Sequence, residues 1–256
     1  MGSGFNFEVV NADDYDTLRP GYAPAAVAWV VEAVDLGEGS IVVDLAAGTG
    51  QLSRPFALHG VELLAVEPAR NMREAIAERL PTVRVVDATA ESLPLGDGGA
   101  DAVAVGNAFH HFDAGAAFAE IRRVLRPGGA LALLWAWPLE DGHELERYPG
   151  LRGIDEVVER MRAESAIATA YRSWAETPPP ADGFTGPERR EFPTTHVLPS
   201  ARLADLYATS SDVASLPAQA RSELLGRVRE LSPRLPETLE LPGRSVVDLF
   251  PRKGAA

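Results

Sequence analysis

Three carboxylates mark the ends of short apolar runs: Asp44 within Ile41–Leu45, Glu67 after Val61–Val66 and Asp87 after Thr82–Val86. Runs of that length and composition read as buried parallel strands. An acid at the carboxyl end of such a strand faces the crevice where open α/β sheets bind ligands. After Asp44 the chain turns through Ala46-Ala47-Gly48-Thr49-Gly50 into an expected helix over 51–59. Small residues accept positive φ and let the backbone approach a ligand closely, and the first amides of the helix point into the crevice. That combination is a nucleotide-cofactor loop. The dinucleotide fingerprint needs a third glycine where Ser53 stands, and Asp44 would oppose a pyrophosphate, which argues against an NAD oxidoreductase. A cofactor with a cationic amino-acid end suits that acid better. Glu67 lies about twenty residues past the glycines, the spacing at which one carboxylate meets both ribose hydroxyls.

A second group of reactive side chains follows the fourth apolar run, in Gly106-Asn107-Ala108-Phe109-His110-His111-Phe112-Asp113. This stretch lines a crevice beside the topological switch point of a doubly wound sheet. An imidazole there can accept a proton at neutral pH without extreme tuning, and Asp113 is placed to orient it. His110 is the catalytic candidate; a pocket-shaping role is the plain alternative. Adjacent histidines invite a metal, but neighbours in an extended segment point apart and no ligand-spaced partner follows, so no metal is expected.

The run Val43-Asp44-Leu45-Ala46-Ala47-Gly48-Thr49-Gly50 resembles motif I of the class I S-adenosylmethionine (SAM) dependent methyltransferases. Asp87-Ala88-Thr89-Ala90-Glu91-Ser92-Leu93-Pro94 resembles the family's acid-alanine-x-x-acid-x-leucine-proline stretch, and Asp13–Tyr22 resembles the leading segment of its small-molecule, ubiquinone-biosynthesis-like group (methyltransferase type 11). The resemblance spans about residues 13–137. It implies SAM as cofactor, with Asp44, Ala46, Gly48 and Gly50 in the turn that faces it, and Glu67 with Pro68 at the ribose. Met72 would lie against the adenine, Asp87 would accept from its amino group, and the Ala88 amide would donate to the ring. Arg19 would meet the cofactor carboxylate, a task suited to a guanidinium. Asn107, Phe109 and His110 would line the crevice, since relatives carry alanine-phenylalanine-histidine there. The segment departs from the Asp/Asn-Pro-Pro-aromatic motif of many amino-group methyltransferases, so methylation of a base or a glutamine is not expected. The implied activity is methyl transfer to an oxygen, nitrogen or carbon of a small organic metabolite. A protein that binds SAM without methylating would carry the same motifs.

These residues require an α/β, doubly wound, mainly parallel seven-stranded sheet to hold them. The expected organisation is an N-terminal lid segment and helix (1–40), a SAM-binding core (41–137), and a helical substrate cover with the last two strands (138–256). Within it we expect helices over 25–34, 71–80, 114–125, 154–171, 200–207 and 217–231. Strands are expected over 100–105, 130–136, 188–196 and 245–250, the last inserted antiparallel between the fifth and sixth. The polar segment 13–22 reads as a solvated leader or a lid. Charged 141–147 and Pro178–Pro180 read as edges of the cover, with Trp135, Trp137, Tyr171, Trp174 and Tyr207 as possible lining.

The chain has 256 residues, a formal charge of -13 and no cysteine. Disulfides, Cys-ligated zinc and cysteine-held iron–sulfur clusters are thereby excluded. The negative charge argues against nucleic-acid or anionic-membrane partners. Met1–Tyr15 has neither a positive region nor a long apolar core, so no signal peptide is expected and a cytoplasmic location is the simplest reading.

Overall fold

The β-branched runs pair as the spacing predicts. In the computed structural model, which describes residues 7–138, 146–163, 165–177 and 182–254, one seven-stranded sheet runs in the order β3-β2-β1-β4-β5-β7-β6. Its strands are β1 (Ile41–Leu45), β2 (Glu62–Val66), β3 (Arg84–Val86), β4 (Ala100–Gly106), β5 (Leu125–Pro138), β6 (Glu188–Pro199) and β7 (Thr238–Pro251). The first five are mutually parallel, and β7 lies antiparallel between β5 and β6. The order reverses at β1, so β1 and β4 flank the switch point where doubly wound sheets bind ligands.

Alternation along the strands decides which face each residue serves. Val43, Leu45, Val103, Val105, Leu131 and Leu133 pack with helix α5 (Ala114–Val124) on one face. Val42, Ala65, Ala102, Ala104, Ala132 and Leu134 pack with α2 (Pro24–Val34) and with Phe56 of α3 (Ser53–Ala57) on the other. Helix α4 (Arg70–Arg79) joins β2 to β3 and buries Met72, Ala75 and Ile76. A third cluster lies apart from these and is built from Leu18, Leu151, Ile154, Val158, Leu203, Val213, Val228 and Leu241, among others. It joins α1 (Ala12–Leu18) to α6 (Arg152–Arg162), α8 (Leu203–Ala208), α9 (Ser211–Ala214) and α10 (Ala218–Leu231), with α7 (Ala166–Glu176) beside them. No described helix is long and apolar enough to cross a membrane.

Several elements differ from expectation for identifiable reasons. The helix expected over 154–171 is two, because Ser165 caps α7 by accepting from the Ala168 amide at 3.2 Å. The leader is an ordered helix, α1, capped by Asn11, with Leu18 buried. Strand β5 begins at Leu125, so Pro127-Gly128-Gly129 lies within it rather than before it. Strands β6 and β7 pair from Glu188↔Leu249 to Pro199↔Thr238, well past the expected ends. Pro193 and Pro199 are tolerated because β6 is an edge strand, and Pro242 because β5 ends at its partner Gly243. The segments 141–145 and Pro178–Pro180 lie outside the described residues.

Candidate functional site

At the carboxyl end of β1 the chain is held in an uncommon backbone conformation. Ala46 has φ 55° and Asn107, at the matching end of β4, has φ 52°. Left-handed backbone strains alanine more than asparagine and persists only where the surroundings enforce it. Here the Ala47 amide donates to the Val66 carbonyl, and the Asn107 side chain pairs with the Ala136 backbone in both directions, at 2.9 and 3.4 Å. Both strand ends are thereby turned toward one cavity of about 320 Å³.

Glu67 dominates that cavity. It is 4% exposed and lines the wall. Its Oε2 accepts from the Gly48 amide at 2.9 Å and its Oε1 from the Ala69 amide at 2.8 Å. Burial nevertheless pushes its carboxyl up to about 7, against the two amide bonds that favour the charged form. Gly48, at φ 58°, faces Tyr15, whose ring would lie 3.5 Å from a Cβ placed there. Ala46, Pro68, Met72, Ala88 and Asn107 line the same cavity, together with Phe7, Tyr15, His111 and Phe112.

Other expected cofactor residues stand elsewhere. Asp44 shares the Val42 face of β1, so it points beneath the loop instead of into the cavity. It is 1% exposed, its Oδ2 accepts from the Ser53 hydroxyl at 2.6 Å, and its Oδ1 is buried without a partner. Burial raises its carboxyl to about 6. Gly50 supports the turn: a Cβ would lie 2.8 Å from Leu80 Cδ1, and its φ is 83°. Asp87 is exposed and pairs with Arg73 at 2.9 Å. Phe109 is a core residue, its ring edge-on to Phe112 at 5.4 Å and tilted against Phe118 at 4.8 Å between centroids.

A second cavity, of about 220 Å³, adjoins the first through the shared walls Phe7, Tyr15, Asn107 and His111. His110 lies here, against Tyr171 at 5.1 Å between ring centroids. Its Nδ1 is buried without a partner. Burial, His111 and the charge of Arg19 hold its pKa well below the ordinary 6.5, so the ring is neutral. The two adjacent histidines do not point apart: a 3₁₀ turn over Phe109–His111 sets their rings 3.9 Å apart. Asp113 does not orient His110; it caps α5 by accepting from the Ala116 amide at 3.1 Å. Arg19 lines this cavity rather than the first, stacks over Tyr15 at 5.3 Å, and forms no ion pair among the described residues. Tyr171 and Tyr207 line the cavity, whereas Trp135 is 1% exposed and packs behind them in the core. The side chains of Trp137 and Trp174 lie outside the described residues. No group of three His, Cys, Asp or Glu among the described residues could hold a metal.

Sequence reasoning gives no role to Phe7 or His196, and treats His111 only as the second of two adjacent histidines. Phe7 carries no signal, and His196 is a lone histidine in an alternating strand. Tyr15 is legible only as part of the leading segment Asp13–Tyr22.

Comparison with known proteins follows this geometry. The methyltransferase domain family matches residues 43–133. An uncharacterized methyltransferase of Mycobacterium tuberculosis is 35% identical over 217 residues, covering 85% of this chain and 82% of that protein. An uncharacterized methyltransferase-like protein of Schizosaccharomyces pombe is 28% identical over 224 residues, 87% of this chain and 84% of its own. Among solved structures, a putative type II methyltransferase from Anaeromyxobacter dehalogenans superposes with a TM-score of 0.65 at 22% identity, covering 92% of this chain and 97% of that one. This last likeness is one of fold.

Proposed function

The chain belongs to the class I methyltransferases, and we propose that it moves a methyl group from SAM to an oxygen, nitrogen or carbon of a small organic molecule. The observation that carries this reading is Glu67. Each carboxylate oxygen spends one lone pair on a backbone amide and retains capacity for one hydroxyl, the pattern that a ribose diol requires. The residues around it fit the remainder of the cofactor. Met72 and Phe112 offer apolar surface to a purine, and the Ala88 backbone lines the wall beside them. Asp87 engages Arg73 through Oδ2, which leaves Oδ1 for an exocyclic amino group. Arg19, stacked on the tyrosine that borders both cavities, supplies a cation for the carboxylate. Asp44 holds the turn from below through Ser53 and adds negative potential beneath it.

Bound there, SAM supplies a methyl group on a sulfonium that leaves as a neutral thioether. The protein's own work is alignment and exclusion of water. Tyr15 and Phe7 wall the junction of the two cavities, and His110 with Tyr171 lines the acceptor side. The uncharged His110 takes the proton of the acceptor's O–H or N–H as the new bond forms.

Calorimetry with SAM and NAD, followed by S-adenosylhomocysteine formation with a metabolite extract, tests the reading. SAM binding with turnover supports it. Binding of NAD in preference to SAM would overturn it, and SAM binding without turnover on any extract would leave a SAM-binding protein that does not methylate.

A further inference from the structure

Helices α6 and α7 each place one arginine in the wall of the smaller cavity, Arg162 and Arg172. Glu159 ties the two together: its Oε1 accepts from Arg162 Nη1 at 3.3 Å and its Oε2 from Arg172 Nη2 at 2.5 Å. Asp212 of α9 fixes Arg162 from a second side. Its Oδ2 accepts from Arg162 Nε at 3.1 Å, while its Oδ1 accepts from the Val213 amide at 2.9 Å. The Arg162 guanidinium also stands 6.0 Å from the ring centroid of Tyr207, and Tyr207 and Asp212 both line the cavity. Every carboxylate oxygen of Glu159 and Asp212 is thus engaged. The guanidiniums are not: Arg162 Nη2, with Nε and Nη1 of Arg172, has no partner among the described residues, and these nitrogens retain accessible surface. The ion pairs cancel in charge but leave a surplus of oriented N–H donors at the cavity. Neither arginine lines the larger cavity.

We propose that Arg162 and Arg172 determine acceptor specificity by holding a carboxylate that a small acceptor molecule carries away from its methylated atom. The inference rests on the methyl-transfer reading, since it takes this cavity as the acceptor's place. A planar carboxylate matches the N–H edge of a guanidinium, and such charge-assisted bonds are roughly twice as strong as neutral ones. Asp212 and Glu159 already orient Arg162, so little side-chain freedom is lost when the ligand binds. The cavity volume of about 220 Å³ lies below the roughly 300–1,000 Å³ of drug-sized ligand sites, which suits a molecule of about one substituted ring. Asp155 lines the same cavity and forms no ion pair among the described residues, so it opposes an anion set beside it. A single carboxylate, turned toward the arginines, is therefore favoured over two.

The test uses the whole chain saturated with S-adenosylhomocysteine, with 4-hydroxybenzoate as the anionic probe and 4-hydroxybenzamide as its neutral counterpart of similar shape. Calorimetry on wild type should show the benzoate binding about tenfold more tightly than the benzamide. In Arg172→Gln, which gives up an ion pair with Glu159 alone, that preference should shrink to about threefold. The double variant Arg162→Gln/Asp212→Asn removes the buried pair together, so that neither charge is stranded, and should abolish the preference. Asp155→Asn should widen it. Benzamide affinity should stay within about threefold throughout. Equal affinity for the two probes in wild type, a preference that either arginine variant leaves unchanged, or one that narrows in Asp155→Asn would overturn the proposal. Failure of the benzoate to bind at millimolar concentration would overturn it as well. Should the double variant not fold, wild type and Arg172→Gln decide. If S-adenosylhomocysteine itself fails to bind, the methyltransferase reading falls first; if it binds and the benzoate is not preferred, only the carboxylate proposal falls.

Discussion

Glu67 is buried deeply enough that its carboxyl rises from 4.5 to about 7. The native state therefore holds a proton that the unfolded chain has already lost. Between about pH 4.5 and 7 this group makes folding stability decline as pH rises, and above 7 its effect is constant. Ribose hydroxyls donate to the charged form, so SAM affinity should strengthen with rising pH and level off above about 7. Asp44, raised to about 6, adds a smaller change in the same direction. Calorimetry across this range checks the slope, and in Glu67→Gln most of it should vanish while affinity falls by roughly 1.5–3 kcal/mol. His110 gives a second test at this scale. Because its pKa lies well below 6.5, turnover should show no acid limb at the ordinary histidine value, but one lower on the pH scale. His110→Gln should lower turnover by roughly 10²–10⁴-fold with SAM affinity retained. Unchanged turnover in that variant would leave alignment alone as the source of catalysis. Residue types along the strand ends were readable from spacing. Their depth was not: only the alternation of β1 in the folded sheet reveals that Asp44 lies beneath the loop and not in the cavity.

Helix α1 is the element on which the cofactor side depends most. Its three acids are tied to different parts of the chain: Asp13 to Arg79 of α4, Asp14 to Arg202 before α8, and Asp16 to Arg54 of α3 and to Arg79. Asp16 also accepts from the fully buried Thr49 hydroxyl at 2.8 Å, which fastens α1 directly to the glycine turn. Asp16→Ala should cost about 1–3 kcal/mol, because it strands the Thr49 hydroxyl. Hydrogen exchange should then quicken in 12–18 and 48–54 together; a change confined to 12–18 would show that the helix and the turn are not joined. Gly106 offers a second check, since a Cβ there would lie 2.2 Å from Tyr22 Oη. Gly106→Ala should displace Tyr22 and cost about 1–3 kcal/mol in thermal unfolding. The strands and the long helices of the core could be read from apolar periodicity because each buries one regular face. The break at Ser165 and the extra length of β6 and β7 could not, because a cap and an edge-strand proline look alike in sequence whether the chain continues or stops.

At the scale of the whole chain, the sheet walls one side of the two cavities, α6 to α9 line the other side of the smaller one, and α6, α8, α9 and α10 are held together by a separate hydrophobic cluster. Hydrogen exchange in 152–176 and 200–231 should slow when S-adenosylhomocysteine and an acceptor are both present. Equal exchange with and without them would mean that the cover is rigid from the start. Sequence motifs point to the larger cavity because its polar groups are concentrated at strand ends. The acceptor side draws Arg19, His110, Tyr171 and His196 from four distant segments, so only the fold brings them together. The wall common to both cavities, Phe7, Tyr15, Asn107 and His111, has a thermodynamic consequence. A ligand that repositions this wall alters the other ligand's affinity, and the two effects are equal by reciprocity. Whatever factor an acceptor imposes on the dissociation constant of S-adenosylhomocysteine, S-adenosylhomocysteine must impose on that of the acceptor. Product inhibition would then depend on acceptor concentration, and a slow-leaving cofactor product would hold the next acceptor in an unproductive ternary complex.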